Sequence, residues 1–234
     1  MRSAERPLRR LALLAALALG ACAQAPERPD AAGAAGDTDR GTATVQRGPV
    51  AAPAGTLGRA GVADDQDIDP AVRKAFNDAR LAMLTGHADR AEKAFLALTQ
   101  SHPEYGGAYA NLGIIYRGAG RLEDSARQLE EATRRGPRQP AYFNELGITY
   151  RMQGAFAKAG EAFGKAIEAD PAYAAAVLNL AILNDIYLWQ PDRALELYQK
   201  FLVLAPDSDD RVPKWIADLK NRQRAAAKAR KEQP

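Results

Sequence analysis

The feature that most narrows what this chain can fold into is a 34-residue period. Leu112-Gly113 and Leu146-Gly147 lie 34 apart, and so do Tyr116 and Tyr150, Gly120 and Gly154, Leu129 and Phe163, and Ala132 and Ala166. Pro103, Pro137, Pro171 and Pro206 follow one another at 34, 34 and 35. Three segments align directly, 106–137, 140–171 and 172–206. A fourth, 72–103, keeps Gly86, Ala91, Phe95 and Pro103 but has Asp78 at the leucine position. Units of this length bury their apolar faces by stacking on neighbours. Alanine is abundant while valine and isoleucine are few, which favours helix over strand. Small residues at Gly147 and Ala159 let two helices approach closely, and Phe163 and Tyr150 fill the space between neighbouring units. Gly120 and Gly154 suit a short turn with positive φ. Pro171 sits where a helix must already have ended.

The order of large residue, Leu-Gly, Tyr, turn Gly, Ala, aromatic, Ala and Pro resembles the tetratricopeptide repeat. Residues 140–171 match it with Phe143, Leu146, Gly147, Tyr150, Gly154, Ala159, Phe163, Ala166 and Pro171. Residues 106–137 have Ser125 in place of the second-helix alanine. The resemblance covers 70–206. It implies an all-α, right-handed solenoid of about four helix–turn–helix repeats over 67–206, closed by a capping helix and basic tail in 207–234.

The unit before that tail departs from the pattern. Ala181 replaces glycine, Asn184 takes the tyrosine position, and one residue is inserted before Pro191 in "YLWQPDRA". Pro191 suits the first turn of a helix. Trp189 is expected to be partly exposed, with a packing role. Val212, Trp215, Ile216 and Leu219 form one helical stripe, which Asp209 or Asp210 can cap. Arg222, Arg224, Lys228, Arg230 and Lys231 against Glu232 read as a solvated helix end, or as a contact for an acidic partner or anionic lipid.

The other end of the chain reads as a leader. "MRSAERPLRR" is a positive stretch, and "LALLAALALGA" an uncharged apolar run, together the pattern of a secretory signal over 1–21. The run is far short of the ~20 apolar residues that span a bilayer. Leu19-Gly20-Ala21-Cys22 resembles the lipobox of bacterial lipoproteins. The resemblance implies a diacylglyceryl thioether on Cys22, cleavage before it and N-acylation of the new terminus. Ala23, where an enteric protein retained in the inner membrane would have aspartate, implies the periplasmic face of the outer membrane. More than one acyl chain is needed for stable anchoring. Residues 22–66, rich in Ala, Gly, Pro and Asp without an aromatic, read as a disordered tether spanning roughly 35–40 Å. The formal charge of +3 does not point to nucleic acid. Residues 1–21 carry all of it, and the remainder sums to zero.

No catalytic motif is present; one cysteine excludes a multi-cysteine metal site, and two histidines leave little room for metal chemistry. His87 and His102 read as surface residues, Gly118-Ala119-Gly120 as a turn, and Glu130-Glu131 as solvated carboxylates. No enzyme activity, metal, other cofactor or small-molecule substrate is expected. In the repeat family the first helices line a concave face. Carried over, that face comprises Arg73, Asn77 and Arg80; Asn111, Ile114 and Arg117; Asn144, Ile148 and Arg151; and Asn179, Ile182 and Asp185. Asparagine can bond a peptide backbone as donor and acceptor, and arginine can grip a carboxylate bidentately. The expectation is a membrane-anchored periplasmic adaptor binding a protein or extended peptide in support of an envelope complex. Two alternatives stay open. One is a cytosolic scaffold with a chance lipobox. The other is a non-catalytic subunit of an envelope enzyme or of a TonB/ExbB-type energy-transducing system.

Overall fold

The computed structural model of the protein describes residues 68–206 and 209–232; the leader, Cys22 and the tether up to residue 66 lie outside them. These residues form α1 (Pro70–Leu84), α2 (Ala88–Ser101), α3 (Gly106–Gly118), α4 (Leu122–Arg135), α5 (Pro140–Met152), α6 (Phe156–Ala169), α7 (Ala174–Ile182), α8 (Pro191–Leu204) and α9 (Arg211–Lys231). Helices α1 to α8 pair as four antiparallel hairpins, and each second helix packs on the first helix of the next hairpin. The first helices α1, α3, α5 and α7 also touch in succession, forming one continuous wall.

Local chemistry fixes the starts and stops. Pro70, Pro140 and Pro191 occupy first turns, where a missing N–H costs nothing. The Ala71 amide donates to Asp69 Oδ1 at 2.7 Å, capping α1. Gly86, Gly120 and Gly154 close the first three hairpins at φ +82°, +75° and +76°. That left-handed geometry directs the next amide to a carbonyl five residues back: His87 to Ala82, Arg121 to Tyr116 and Ala155 to Tyr150, at 2.8 to 2.9 Å.

The repeating glycine inside each first helix answers to a contact. A Cβ on Gly147 would stand 2.5 Å from Phe163 Cε1, and one on Gly113 would stand 2.5 Å from Leu129 Cγ. Phe163 and Leu129 are fully buried, so neither has room to give way. The core runs across hairpin boundaries: Leu129 packs with Tyr142 and Leu146 of the next hairpin, and Phe163 with Leu183. All four apolar clusters draw their members from residues 68–219, so this segment carries its own core.

The fourth hairpin absorbs its inserted residue as a π-helical turn, Leu183–Tyr187. The closing bond lengthens from five residues to six, Gln190 N to Asn184 O at 2.9 Å. Trp189 then takes the place that glycine holds in the other turns, at φ +54°. The expected packing role for Trp189 does not hold. Trp189 is 76% exposed. Tyr187 instead packs on Phe156, with ring centroids 4.7 Å apart.

Helix α9 covers the open end by burying Val212 and Leu219 and half-burying Trp215 and Ile216 against α8 and its neighbours. Asp209, not Asp210, supplies the bond at its start, accepting from the Arg211 amide at 3.0 Å.

Candidate binding face

The wall made by α1, α3, α5 and α7 is the surface expected to receive a ligand. Three registers, each stepping by 34, run along it: Asn77, Asn111, Glu145 and Asn179; Arg80, Ile114, Ile148 and Ile182; Met83, Arg117, Arg151 and Asp185. Asn144 therefore stands one residue out of register, and Glu145 is the true equivalent of Asn111 and Asn179. Strict counting from Asn111 finds Glu145; choosing by residue type selects its neighbour.

The structure corrects much of the expected ligand surface. Asn111, Asn144, Asn179, Ile182 and Asp185 are each less than 5% exposed. The asparagines are used internally, because a buried amide must satisfy its own hydrogen bonds. Asn111 Nδ2 donates to Gly107 O of its own helix at 2.8 Å. Asn179 Nδ2 donates to Asn144 Oδ1 at 2.9 Å, joining α5 to α7. Ile182 is a core residue beside Val212 and Leu219. Asp185 accepts from Arg222 of α9 at 2.6 Å and from the Tyr198 hydroxyl at 3.2 Å. Of the remaining positions, Asn77 is exposed, while Arg73, Arg80, Ile114, Ile148, Arg117 and Arg151 are half-buried. Arg80 lies over the Phe76 ring at 5.9 Å.

The two central arginines differ sharply in what they meet. Arg117 Nη2 donates to Glu145 Oε2 at 2.5 Å, and its Nη1 donates to Glu145 O at 3.1 Å and Thr149 Oγ1 at 3.3 Å. Its side chain is 15% exposed and that of Glu145 8%, so this is a charge pair held inside the fold. Arg117 is therefore a strut between α3 and α5 rather than a free hand for a ligand. Thr149 extends the link to Ser125 of α4 at 3.0 Å.

Arg151, at the equivalent place one repeat on, meets Asn179 instead of a carboxylate. Nη1 reaches Asn179 Oδ1 only at 3.5 Å, the outer edge of a hydrogen bond. Burial pulls the Arg151 guanidinium below its ordinary range; the Tyr187 hydroxyl opposes this and the neighbouring Arg117 adds to it. Among the described residues, Arg151 is thus a desolvated cation with no acid beside it, on the wall between the third and fourth hairpins.

Two further expectations are refined. Glu130 and Glu131 are not simply solvated: Glu130 Oε1 accepts the Tyr150 hydroxyl of the next hairpin at 2.6 Å, and Glu131 pairs with Arg134 and Arg135. Burial and that bond to Glu130 raise the Tyr150 hydroxyl well above the usual tyrosine range. His87 begins α2 with its Nδ1 3.0 Å from Thr85 Oγ1, a turn contact at an exposed position.

The sequence model of the tetratricopeptide repeat matches residues 76–128 and 111–174. None of the curated proteins matches the sequence significantly. Among solved structures, a thermophilic TPR protein of Thermus thermophilus shares 25% identity over 63% of this chain and 80% of its own, with a TM-score of 0.55. The Pseudomonas aeruginosa pilF protein shares 19% over 69% of this chain and 72% of its own, at 0.61. The MamA protein shares 21% over 68% and 86%, at 0.59. The likeness is one of fold, a solenoid of stacked helical hairpins.

Proposed function

We propose that this tetratricopeptide-repeat solenoid is the binding domain of a lipid-anchored adaptor on the periplasmic face of the bacterial outer membrane. In this reading residues 1–21 are removed, Cys22 carries diacylglycerol and an N-acyl chain, and 22–66 tether the solenoid of 67–206 with its cap in 207–234. The solenoid captures a protein or extended peptide and supports an envelope complex. It performs no catalysis and takes no cofactor, nucleic acid or small-molecule substrate. The complete lipobox pattern around Cys22 supports the anchor, and Ala23 supports the outer membrane.

One observation carries the binding reading: Arg151 is a desolvated cation without a carboxylate, set on the wall of the first helices. A guanidinium held in that state gains most from an incoming carboxylate, which can take both forks of the group. The ligand is therefore an extended segment with an acidic side chain or terminus, seated between the third and fourth hairpins.

Two measurements test the proposal. Labelled palmitate will enter the protein and will be absent from Cys22→Ala; labelling that persists in the variant, or is absent from both, removes the anchor. Crosslinking in intact cells will yield discrete partner adducts, and Arg151→Gln will abolish them while the melting temperature stays level or rises slightly. Losing a buried, unneutralised charge does not weaken a fold. Equal adduct yields from Arg151→Gln and the parent would refute the carboxylate site.

A further inference from the structure

We propose that the notch between the fourth hairpin turn and the overhanging end of α9 docks on an anionic lipid surface. The inference goes beyond the adaptor reading and does not depend on Cys22.

Three observations converge on the notch. Trp189 is 76% exposed and holds a left-handed φ of +54° where the other turns use glycine. A bulky side chain is disfavoured in that conformation, so the π-turn presents the indole to solvent at a conformational cost that core packing does not recover. Beside it lies a depression of about 470 Å³, lined by Trp189, Pro191, Leu219, Ala226, Arg222 and Arg230. Asp185 and Asp192 also line it, but Asp185 is taken up by Arg222 and Asp192 accepts from Gln223, which leaves Arg230 as the one cation of this lining without an ion-pair partner among the described residues.

The third observation is the charge of the helix above it. Residues 220–231 carry six Lys and Arg and no Asp or Glu, whereas residues 68–219 carry 18 basic against 20 acidic residues. Lys220, Arg224, Arg230 and Lys231 have no carboxylate within 4.0 Å among the described residues. Arg222 is committed to Asp185 and Asp218, and Gln223 ties α9 to Asp192 at 2.6 Å, fixing the overhang against the turn. The cations spread around the helix: Lys220, Arg224, Lys228 and Lys231 follow one stripe, while Arg222 and Arg230 face the notch. A single carboxylate ligand would call for convergent donors, but a laterally continuous charged surface meets the four cations without an ion pair, Lys220, Arg224, Arg230 and Lys231, which share about a third of the helix circumference. Residues 68–219 carry a slight acidic excess, so the attraction to an anionic membrane concentrates at this end, where it acts within a Debye length of ~10 Å. Lysine and arginine then reach headgroups while their stems lie on apolar groups, and the indole enters the interface.

Co-flotation of purified residues 68–234 with phosphatidylglycerol vesicles tests this, with phosphatidylcholine vesicles as the neutral reference. The expected result is flotation with phosphatidylglycerol only, lost at high salt, with a blue shift of tryptophan emission. Arg224→Gln with Lys228→Gln and Arg230→Gln will weaken binding about tenfold or more. Trp189→Gly, which installs the residue of the other turns and keeps the melt intact, will weaken binding and remove most of the blue shift. Failure to float with phosphatidylglycerol, or equal flotation of the triple variant, overturns the proposal. So does binding of a polyglutamate peptide without flotation, which would assign the cations to an acidic protein segment.

Discussion

Arg117→Ala will destabilise the solenoid by about 3 kcal/mol, because it strands the Glu145 carboxylate inside the fold. The Glu145 side chain is 8% exposed and its Oε2 is bonded to Arg117 at 2.5 Å. Breaking a buried pair from one side leaves an uncompensated charge, and that penalty exceeds the net worth of the pair itself. The Thr149 and Ser125 hydroxyls lose part of their network at the same time. The double variant Arg117→Met with Glu145→Leu removes both charges at similar volume and will recover most of the loss. Denaturant midpoints of the parent, each single variant and the double variant give the coupling directly. If Arg117→Ala is as stable as the double variant, the pair is solvated and the strut does not exist. The result also governs how the binding face is probed. Charge reversal at Arg117 would report on folding, whereas Arg151 can be changed without that confusion.

Gly147→Leu will cost about 3 kcal/mol or more, against the direction that helix propensity gives. In an isolated helix the change would gain nearly ~1 kcal/mol, since glycine is among the poorest helix formers. Here the first added carbon would stand 2.5, 2.6 and 3.0 Å from three atoms of the Phe163 ring. Phe163 is fully buried between Ala159 and Leu183, so α5 and α6 would have to separate. Gly164 provides the control. It lies within α6, and a methyl group there would meet nothing within 4 Å, so Gly164→Ala will raise stability by roughly 0.5–1 kcal/mol. Thermal melts of the two variants should move in opposite directions. A melt of Gly147→Leu level with the parent would mean that α5 and α6 are not in contact there.

Much of the repeat architecture was legible because its determinants are local or recur in strict register. The turn glycines, the prolines beyond each helix end and the small residue facing Phe163 each sit where one backbone geometry or one close contact admits few residues. The inner wall was harder to read. Asn144 and Glu145 are sequence neighbours, yet Glu145 is the register equivalent of Asn111 while Asn144 bonds Asn179 across to α7. Residue type alone favoured Asn144. The 34-residue count favoured Glu145, and that count was the available signal. The burial of Asn111, Asn144, Asn179, Ile182 and Asp185 had no such signal, because an amphipathic pattern marks the apolar face but not which polar groups a neighbouring helix covers.

By itself, the sequence determined the helical hairpin, its repetition, its turns and the close approach of its two helices, since each depends on backbone geometry within one 34-residue unit. Only the tertiary structure decided what the inner-wall charges do. Arg117 and Arg151 are the same residue in the same register. One is neutralised by Glu145 and the other faces Asn179, and each partner lies 28 residues away on the next hairpin. The same holds at the fourth turn, where one inserted residue becomes a π-turn and places Trp189 outside the core. A contact across stacked units depends on the side chain that the neighbour presents, and no periodicity within one unit carries that information.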